Sequence, residues 1–315
     1  MDWFHFHCFA PLAFIGENVD YARFDNFINY RGDVTKMPAF SNIIPALRRQ
    51  IESCICFTIF YHLGNIATPI AMAKPCFEGN PFYFKFVFMI FAGLNTLYLL
   101  FARFVYQEAG LMATGISYQA ATKDKPENYN TIRSTQVLVN LSAADTKELF
   151  GTWNMRTQYY LKHYVMMRQI DRSLPRGQMQ GFPIAITFIV SALNHGFFAG
   201  YYILFFGAGL LEFSYRLGEK TAIAALLRKK LPISLVTITS ALFLQCQMRF
   251  FSIAIWILTW ENVSAAYNAV HWVGFIMPVA IILLSMILPK APRKPRAKIS
   301  TSVDTSEVNT DGLKI

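Results

Sequence analysis

The chain has 315 residues, of which 54% are hydrophobic and only 15% charged, whereas soluble domains carry about 25% charged residues. The deficit falls in long uncharged runs, which excludes an ordinary soluble domain and predicts an all-α, multi-pass transmembrane helical bundle. Its 29 Lys and Arg residues exceed its 19 Asp and Glu residues, which gives a net charge of +10. Because these basic residues lie beside apolar runs, where they set topology and meet anionic lipid, we do not expect nucleic-acid binding.

The predicted spans are separated by polar or basic segments. A polar loop is predicted at 114–142, and the mixed aromatic and basic composition of 145–176 is typical of a helix that lies at the membrane interface or lines a cavity. Residues 1–289 are expected to form one membrane domain, and 290–315 a basic and then polar cytosolic tail that is disordered. The predicted membrane spans cover residues 53–73, 84–106, 231–260 and 265–288, with a turn at 261–264 between the last two.

One uncharged run, 181–213, has a single ionisable residue in its interior, His195. The run's only acidic residue, Glu212, lies at its end. Ionisable side chains inside a bilayer are costly and usually functional. His195 is therefore predicted to be the centre of the active site.

The path of this run through the membrane has two interpretations. The basic segments on either side are expected to face the cytosol, and 33 residues are too few for two full spans of about 20 residues each. A broken hairpin that bends near 196–200 would fit, with His195 near its deepest point. The alternative is one long tilted helix. Both paths predict a buried polar cavity around His195.

A second polar element precedes His195 by 41 residues, at Asn154 in the segment Trp-Asn-Met-Arg-Thr-Gln-Tyr-Tyr-Leu-Lys (153–162). A histidine can take the proton from an attacking hydroxyl, and an amide can hold an acyl carbonyl or orient the imidazole. The sequence contains no Gly-x-Ser-x-Gly nucleophile motif. This pattern favours direct acyl transfer from an activated donor over an acyl-enzyme.

The two motifs also resemble those of a known family. The pattern Trp-Asn-Met-x-Thr-x-Tyr-Tyr-Leu-Lys (153–162) and the pattern Ser-Ala-Leu-x-His-Gly-x-x-x-Gly-Tyr-Tyr (191–202) are similar to the paired signatures of the membrane-bound O-acyltransferases. Within that family they look most like the lysophospholipid acyltransferase branch, and the loop 115–130 resembles the corresponding loop there. The resemblance covers residues 10–290.

The resemblance implies an endoplasmic-reticulum enzyme that moves a fatty acyl group from acyl-CoA to the free hydroxyl of a lysophospholipid. It implies His195 as general base and Asn154 as its support, with acyl-CoA as co-substrate and no other cofactor. Arg249 is expected either to pair with a phosphate of CoA or lipid or to snorkel to the interface. Further substrate contacts are expected from Trp153, Thr157, Asn194, Tyr201 and Arg249.

Three departures from the family pattern leave other functions open. Asn194 stands where the family usually has Trp, and Asn140 and Leu141 stand where an acidic residue is common. Family members also carry several more upstream spans, so some N-terminal spans are expected to be missing here. The alternatives are an enzyme of the same family that acylates a protein or sterol hydroxyl, and a truncated, non-catalytic membrane protein.

The sequence does not predict a metal site. His5 and His7 have no nearby carboxylate or cysteine partner, and Cys54 and Cys56 have the wrong spacing for a structural zinc pair. The remaining histidines near aromatic residues are interpreted as interface anchors: His163 and His271.

Overall fold

The computed structural model describes residues 19–170 and 181–291. Predictions that concern other positions, including His5, His7 and most of the tail, lie outside the described residues. Within the described ranges every regular element is a helix. In chain order the α-helices are α1 (Tyr21–Ile28), α2 (Ile43–Gly64), α3 (Pro75–Glu78), α4 (Phe82–Thr114), α5 (Val137–Ser142), α6 (Thr146–Gly151), α7 (Met155–Tyr160), α8 (Met167–Gln169), α9 (Gly181–His195), α10 (Ala199–Gly218), α11 (Ala222–Lys230), α12 (Ile233–Ser252), α13 (Ala254–Ile257), α14 (Trp260–Asn268) and α15 (Val273–Ile287). Short 3₁₀-helices lie at Gly32–Lys36 and Pro69–Ala73, and Leu161–Met166 is a π-helical turn.

Several of these helices are long and apolar enough to cross a membrane. Three stretches meet this criterion on their own: Ile43–Ala73, Phe82–Thr114 and Ile233–Ile257. Helices α14 and α15, which are bent by 73° relative to each other, make a fourth if they are counted as one span. The prediction of an all-α membrane protein is confirmed.

The first two spans extend beyond their predicted bounds, and the cause is one buried ion pair. Helix α2 begins well before residue 53 and passes through Arg49, and α4 continues past residue 106 through Glu108. Both residues are charged, but each is almost fully buried and Arg49 Nε donates to Glu108 Oε2 at 2.7 Å. Paired charges can stay inside a helical bundle where single ones are costly.

The predicted turn at 261–264 is wrong. Those residues belong to α14, whose N-cap is Thr259, because its Oγ1 accepts a hydrogen bond from the Asn262 amide at 3.5 Å. The chain bends instead between α14 and α15, where His271 and Trp272 have positive φ values of 53° and 52°. The bend therefore lies after α14, at His271 and Trp272, and not at 261–264.

The run 181–213 forms a broken hairpin, and the single-helix interpretation is wrong. Helices α9 and α10 pack against each other, and their far ends meet: a Cβ built on Gly181 would lie 3.6 Å from Phe213 Cε2. The break is at Gly196, whose φ of +113° is a conformation that favours glycine. The position of the break agrees with the predicted bend.

The start of α10 is pinned to the rest of the bundle. The Gly200 amide donates to the carbonyl oxygen of Leu258 at 2.7 Å, and a Cβ at Gly200 would overlap the carbonyl oxygen of Ala254. Only glycine permits this approach of α10 to α13. The hairpin turn that carries His195 is thereby held at a fixed place.

Helices α2 and α4 pack along their length through small polar contacts. Ser53 Oγ donates to the Ala102 carbonyl at 2.8 Å, and Asn95 Nδ2 donates to the Phe60 carbonyl at 2.6 Å. Both donors are buried. Such hydrogen bonds satisfy polar groups that water does not reach.

The predicted loop at 114–142 is irregular up to α5. Its backbone is fastened by mutual hydrogen bonds of 2.8 and 3.1 Å between Gln119 and Asn128. At the other end of the chain, Ala291 N donates to Lys220 O at 2.9 Å. The first residues of the predicted disordered tail are therefore held beside the segment that follows α10, on the same side of the bundle as its basic residues.

Candidate active site

Asn154 lies at the start of α7 in an unusual backbone conformation. Its φ of 43° and ψ of 54° are left-handed, a region that Asn tolerates better than most residues. Its side chain does not cap α7. The amide is consequently left to face the cavity described below.

His195 is the last residue of α9, directly before the break at Gly196. Its ring lies between two aromatic rings of α10, with centroid distances of 5.3 Å to Tyr201 and 5.1 Å to Phe205. Neither ring nitrogen has a hydrogen-bond partner among the described residues. The residue is exposed at the turn of the hairpin, where α9 ends.

His195 and Asn154 line the same cavity. The cavity has a volume of about 90 Å³, which is small against the roughly 300–1,000 Å³ of a site that encloses a whole small ligand. Its walls are formed by α4, the α6–α7 region, the hairpin and α12–α13: Leu97, Leu100, Phe104, Phe150, Trp153, Asn154, Thr157, Gln158, Leu161, Phe188, Ser191, His195, Leu204, Phe205, Ala208, Met248, Ser252 and Ile255.

The structure brings some of the expected substrate contacts to this cavity and not others. Trp153 and Thr157 line it, and the Trp153 ring packs edge-on against Phe101 and Phe104 at 5.4 Å. Tyr201 reaches the site only through its contact with the His195 ring.

Two expected contacts do not line the cavity: Asn194 and Arg249. Asn194 is exposed, because it precedes His195 on α9 and therefore points to another side of the helix. Arg249 lies on α12 beside the cavity-lining Met248, and its backbone packs against Gly93 of α4. Their expected contact with substrate is therefore not made through this cavity lining and stays a prediction.

Three polar residues of the cavity were not singled out from the sequence: Gln158, Ser191 and Ser252. Helical spacing could have found two of them, since Gln158 is four residues after Asn154 and Ser191 four residues before His195. Ser252 belongs to α12, and no local pattern connects it to either motif.

A second, larger depression lies in the hairpin itself. The groove between α9 and α10 has a volume of about 730 Å³, and its lining is almost entirely apolar. Phe188 and Phe205 belong to both the groove and the cavity. An apolar channel of ligand size therefore begins beside the His195 ring.

Two basic side chains lie at the Asn154 motif, Arg156 within it and Arg23 close by. Arg156 Nη2 is 3.4 Å from Asp20 Oδ2, and Arg23 Nη1 donates to Thr131 Oγ1 at 2.8 Å. Burial lowers the pKa of Arg23, and the neighbouring positive charge of Arg156 lowers it further. Two cations therefore lie close together at the motif that carries Asn154. Among the described residues, no group of three His, Cys, Asp or Glu side chains could hold a metal ion.

Comparison with known proteins identifies the family. A model described as the membrane-bound O-acyltransferase family matches residues 1–221, which is more than half of the chain. The chain belongs to this family. The match includes both motifs and the first half of the helical bundle.

The family assignment agrees with similar curated proteins. The chain is 22% identical over 255 residues to lysophospholipid acyltransferase 1 of Arabidopsis thaliana, covering 80% of this chain and 54% of the relative. It is 23% identical over 215 residues to a lysophospholipid acyltransferase of Schizosaccharomyces pombe, covering 65% and 41%. It is 20% identical over 285 residues to lysophospholipid acyltransferase 5 of Mus musculus, covering 85% and 56%. The chain thus spans about half the length of these relatives.

In this member of the family, Asn140 occupies a place where an acidic residue is common. Its Nδ2 donates to the Leu149 carbonyl at 2.7 Å and to Thr152 Oγ1 at 3.1 Å, and its backbone carbonyl accepts from Gln245 Nε2 at 2.6 Å. The two bonds that Nδ2 donates need an amide side chain, because a carboxylate cannot donate. Asn140 therefore helps to hold the segment that leads into Asn154.

Proposed function

We propose that this membrane-bound O-acyltransferase transfers a fatty acyl group from acyl-CoA to the free hydroxyl of a lysophospholipid. The observation that carries the proposal is the meeting of His195 and Asn154 in one cavity, although 41 residues separate them in the chain. The names of the similar proteins support the choice of a lysophospholipid as acceptor.

In the proposed reaction His195 is the general base. Its free ring nitrogen accepts the proton of the lysophospholipid hydroxyl while the oxygen attacks the thioester carbon. The C–S bond breaks, and the leaving coenzyme A thiolate takes the proton from His195, which restores the neutral base. Tyr201 and Phe205 hold the imidazole by packing, so a ring nitrogen remains available to the acceptor.

Asn154 supports this step from the facing wall of the cavity. Its Nδ2 donates to the carbonyl oxygen of the thioester, where negative charge develops in the transition state. The left-handed backbone of Asn154 presents this amide to the cavity instead of to α7. Removing one such donor costs about 10²–10³ in kcat.

The surroundings of the cavity suit the two substrates. The apolar groove between α9 and α10 is large enough for part of an acyl chain, and it begins beside His195. Arg23 and Arg156 supply positive charge that attracts the phosphates of CoA or of the lipid headgroup. Acyl-CoA is already activated, so the proposed reaction requires no further cofactor.

We place this reaction at the endoplasmic-reticulum membrane with the basic C-terminal segment in the cytosol. The positive-inside rule supports the cytosolic placement, since the segment after the last span contains five basic residues between 290 and 298. The basic residues after α10 lie on the same side of the bundle as the start of this segment.

The test is acyl transfer from labelled oleoyl-CoA by microsomes that express the chain. The acceptor panel contains lysophospholipids with different headgroups, a sterol and an acylatable peptide. Labelled phospholipid is the expected product. Label in the sterol or peptide alone would replace the lysophospholipid proposal, and no transfer by the folded protein would favour a non-catalytic role.

A further inference from the structure

The unusual backbone of Asn154 requires support from its neighbours. Left-handed conformations of residues other than glycine are held in place by surrounding structure. The residues on both sides of Asn154 are bound to one short segment, 134–136. Met155 N donates to Ser134 O at 2.7 Å, and Thr152 O accepts from Gln136 N at 3.1 Å and from Thr135 Oγ1 at 3.0 Å.

The segment 134–136 is in turn held by a buried carboxylate. Glu108 Oε1 accepts from the Ser134 amide at 2.7 Å and from the Thr135 amide at 2.8 Å. Its other oxygen, Oε2, accepts from Arg49 Nε at 2.7 Å. The Glu108 side chain is fully buried, so water cannot replace these partners.

Arg49 completes the arrangement from the neighbouring helix. Its Nη2 donates to the Thr135 carbonyl at 2.6 Å, and its Nη1 contacts Glu52. The backbone of Thr135 is therefore bound through both its amide and its carbonyl by one ion pair between α2 and α4. A bond network of this kind fixes a segment more rigidly than packing alone.

We propose that Glu108 and Arg49 are positioning residues that hold Asn154 in its catalytic conformation. They act through a continuous path from the ion pair to Ser134 and Thr135, and from there to Thr152 and Met155. The inference rests on the proposed function for its effect on turnover, whereas its structural part does not. Neither side chain lines the cavity, so neither touches substrate there.

The decisive variant is Glu108→Gln. It preserves volume, but the new NH₂ group must face either the two backbone amides or the Arg49 guanidinium, and all of these are donors. Arg49→Lys is the second variant, because one ammonium group cannot reach Glu108, Glu52 and the Thr135 carbonyl together. Ser53→Ala is the matched control: it removes a buried hydrogen bond between the same two helices, but Ser53 has no contact with 134–136.

The first measurement is hydrogen–deuterium exchange of the purified protein in detergent. We expect peptides that cover 152–158 to exchange faster in Glu108→Gln and Arg49→Lys, and to exchange at the wild-type rate in Ser53→Ala. Unchanged exchange in Glu108→Gln would overturn the inference, whatever the activity of the protein. This measurement does not depend on the proposed reaction.

The second measurement is a kinetic double-mutant cycle with Asn154→Ala. Since a displacement near 1 Å can cost about 10² in rate, Glu108→Gln should lower kcat by about this factor and leave KM unchanged. The double variant should be no slower than Asn154→Ala alone, because the lost position belongs to an amide that is already absent. If the kcat losses of the two single variants multiply in the double variant, the ion pair has a general structural role. If Asn154→Ala is unimpaired, the proposed function of Asn154 is refuted. The exchange measurement then decides alone whether the ion pair positions the segment around Asn154.

Discussion

The substitution Gly200→Ala tests whether the hairpin turn must be pinned for activity. A Cβ at this position would overlap the Ala254 carbonyl and stand 2.9 Å from Leu258 Cα, so α10 must move away from α13. Overpacking of this kind costs about 1–3 kcal/mol. Losing the hydrogen bond from Gly200 N to Leu258 O adds about 1–3 kcal/mol, because both groups are left unpaired.

The expected results follow from this displacement. The midpoint of thermal unfolding in detergent should fall by at least about 5 °C. Acyl transfer should fall by about 10², because the turn that carries His195 moves with the start of α10. Gly110→Ala is the matched control, since it also replaces a helical glycine and its added Cβ meets nothing within 4 Å. Wild-type stability and activity in Gly200→Ala would show that the close approach of α10 to α13 is not required.

Three further predictions concern the surroundings of the site. Asp145→Ala removes the N-cap of α6, whose Oδ1 accepts from Glu148 N at 2.7 Å, and should cost about 1 kcal/mol in the free energy of unfolding measured in detergent. Asn140→Asp cannot donate to its two acceptors and should lower the unfolding midpoint, although an acidic residue is common there in the family; an unchanged midpoint would contradict this. Ala185→Phe narrows the apolar groove and should shift transfer toward shorter acyl-CoA chains, whereas Val190→Phe, outside the groove, should not.

The sequence was sufficient to predict the elements that depend on local composition. The run 181–213 with its one histidine predicted either a broken hairpin or one long tilted helix, because length and charge limit how 33 residues can meet a membrane. The motif around Asn154 predicted a partner for His195 through the chemistry of acyl transfer. The structure places both side chains in one cavity.

Features that depend on contacts between distant residues could not be predicted in this way. The predicted spans ended before Glu108 and began after Arg49, and the pairing of these two residues across 59 positions explains why both helices continue. Arg249 does not line the cavity, to which its helix presents Met248 and Ser252, and its pairing with a phosphate stays a prediction. The bend between α14 and α15 was misplaced because Thr259 caps α14 earlier than the composition indicated.

In the proposed function, His195 and Asn154 perform one acyl-transfer step together. The most direct measurement is the rate of labelled oleoyl transfer to lysophospholipid by microsomes that contain wild-type protein, His195→Ala, Asn154→Ala or the exposed-residue control His62→Ala. We expect a loss of about 10²–10⁴ for His195→Ala, equivalent to about 3–5 kcal/mol of transition-state stabilisation. We also expect about 10²–10³ for Asn154→Ala and no loss for His62→Ala. More than about a tenth of wild-type turnover in folded His195→Ala protein would contradict the role of His195 as general base, because a general base contributes at least about 10² to the rate.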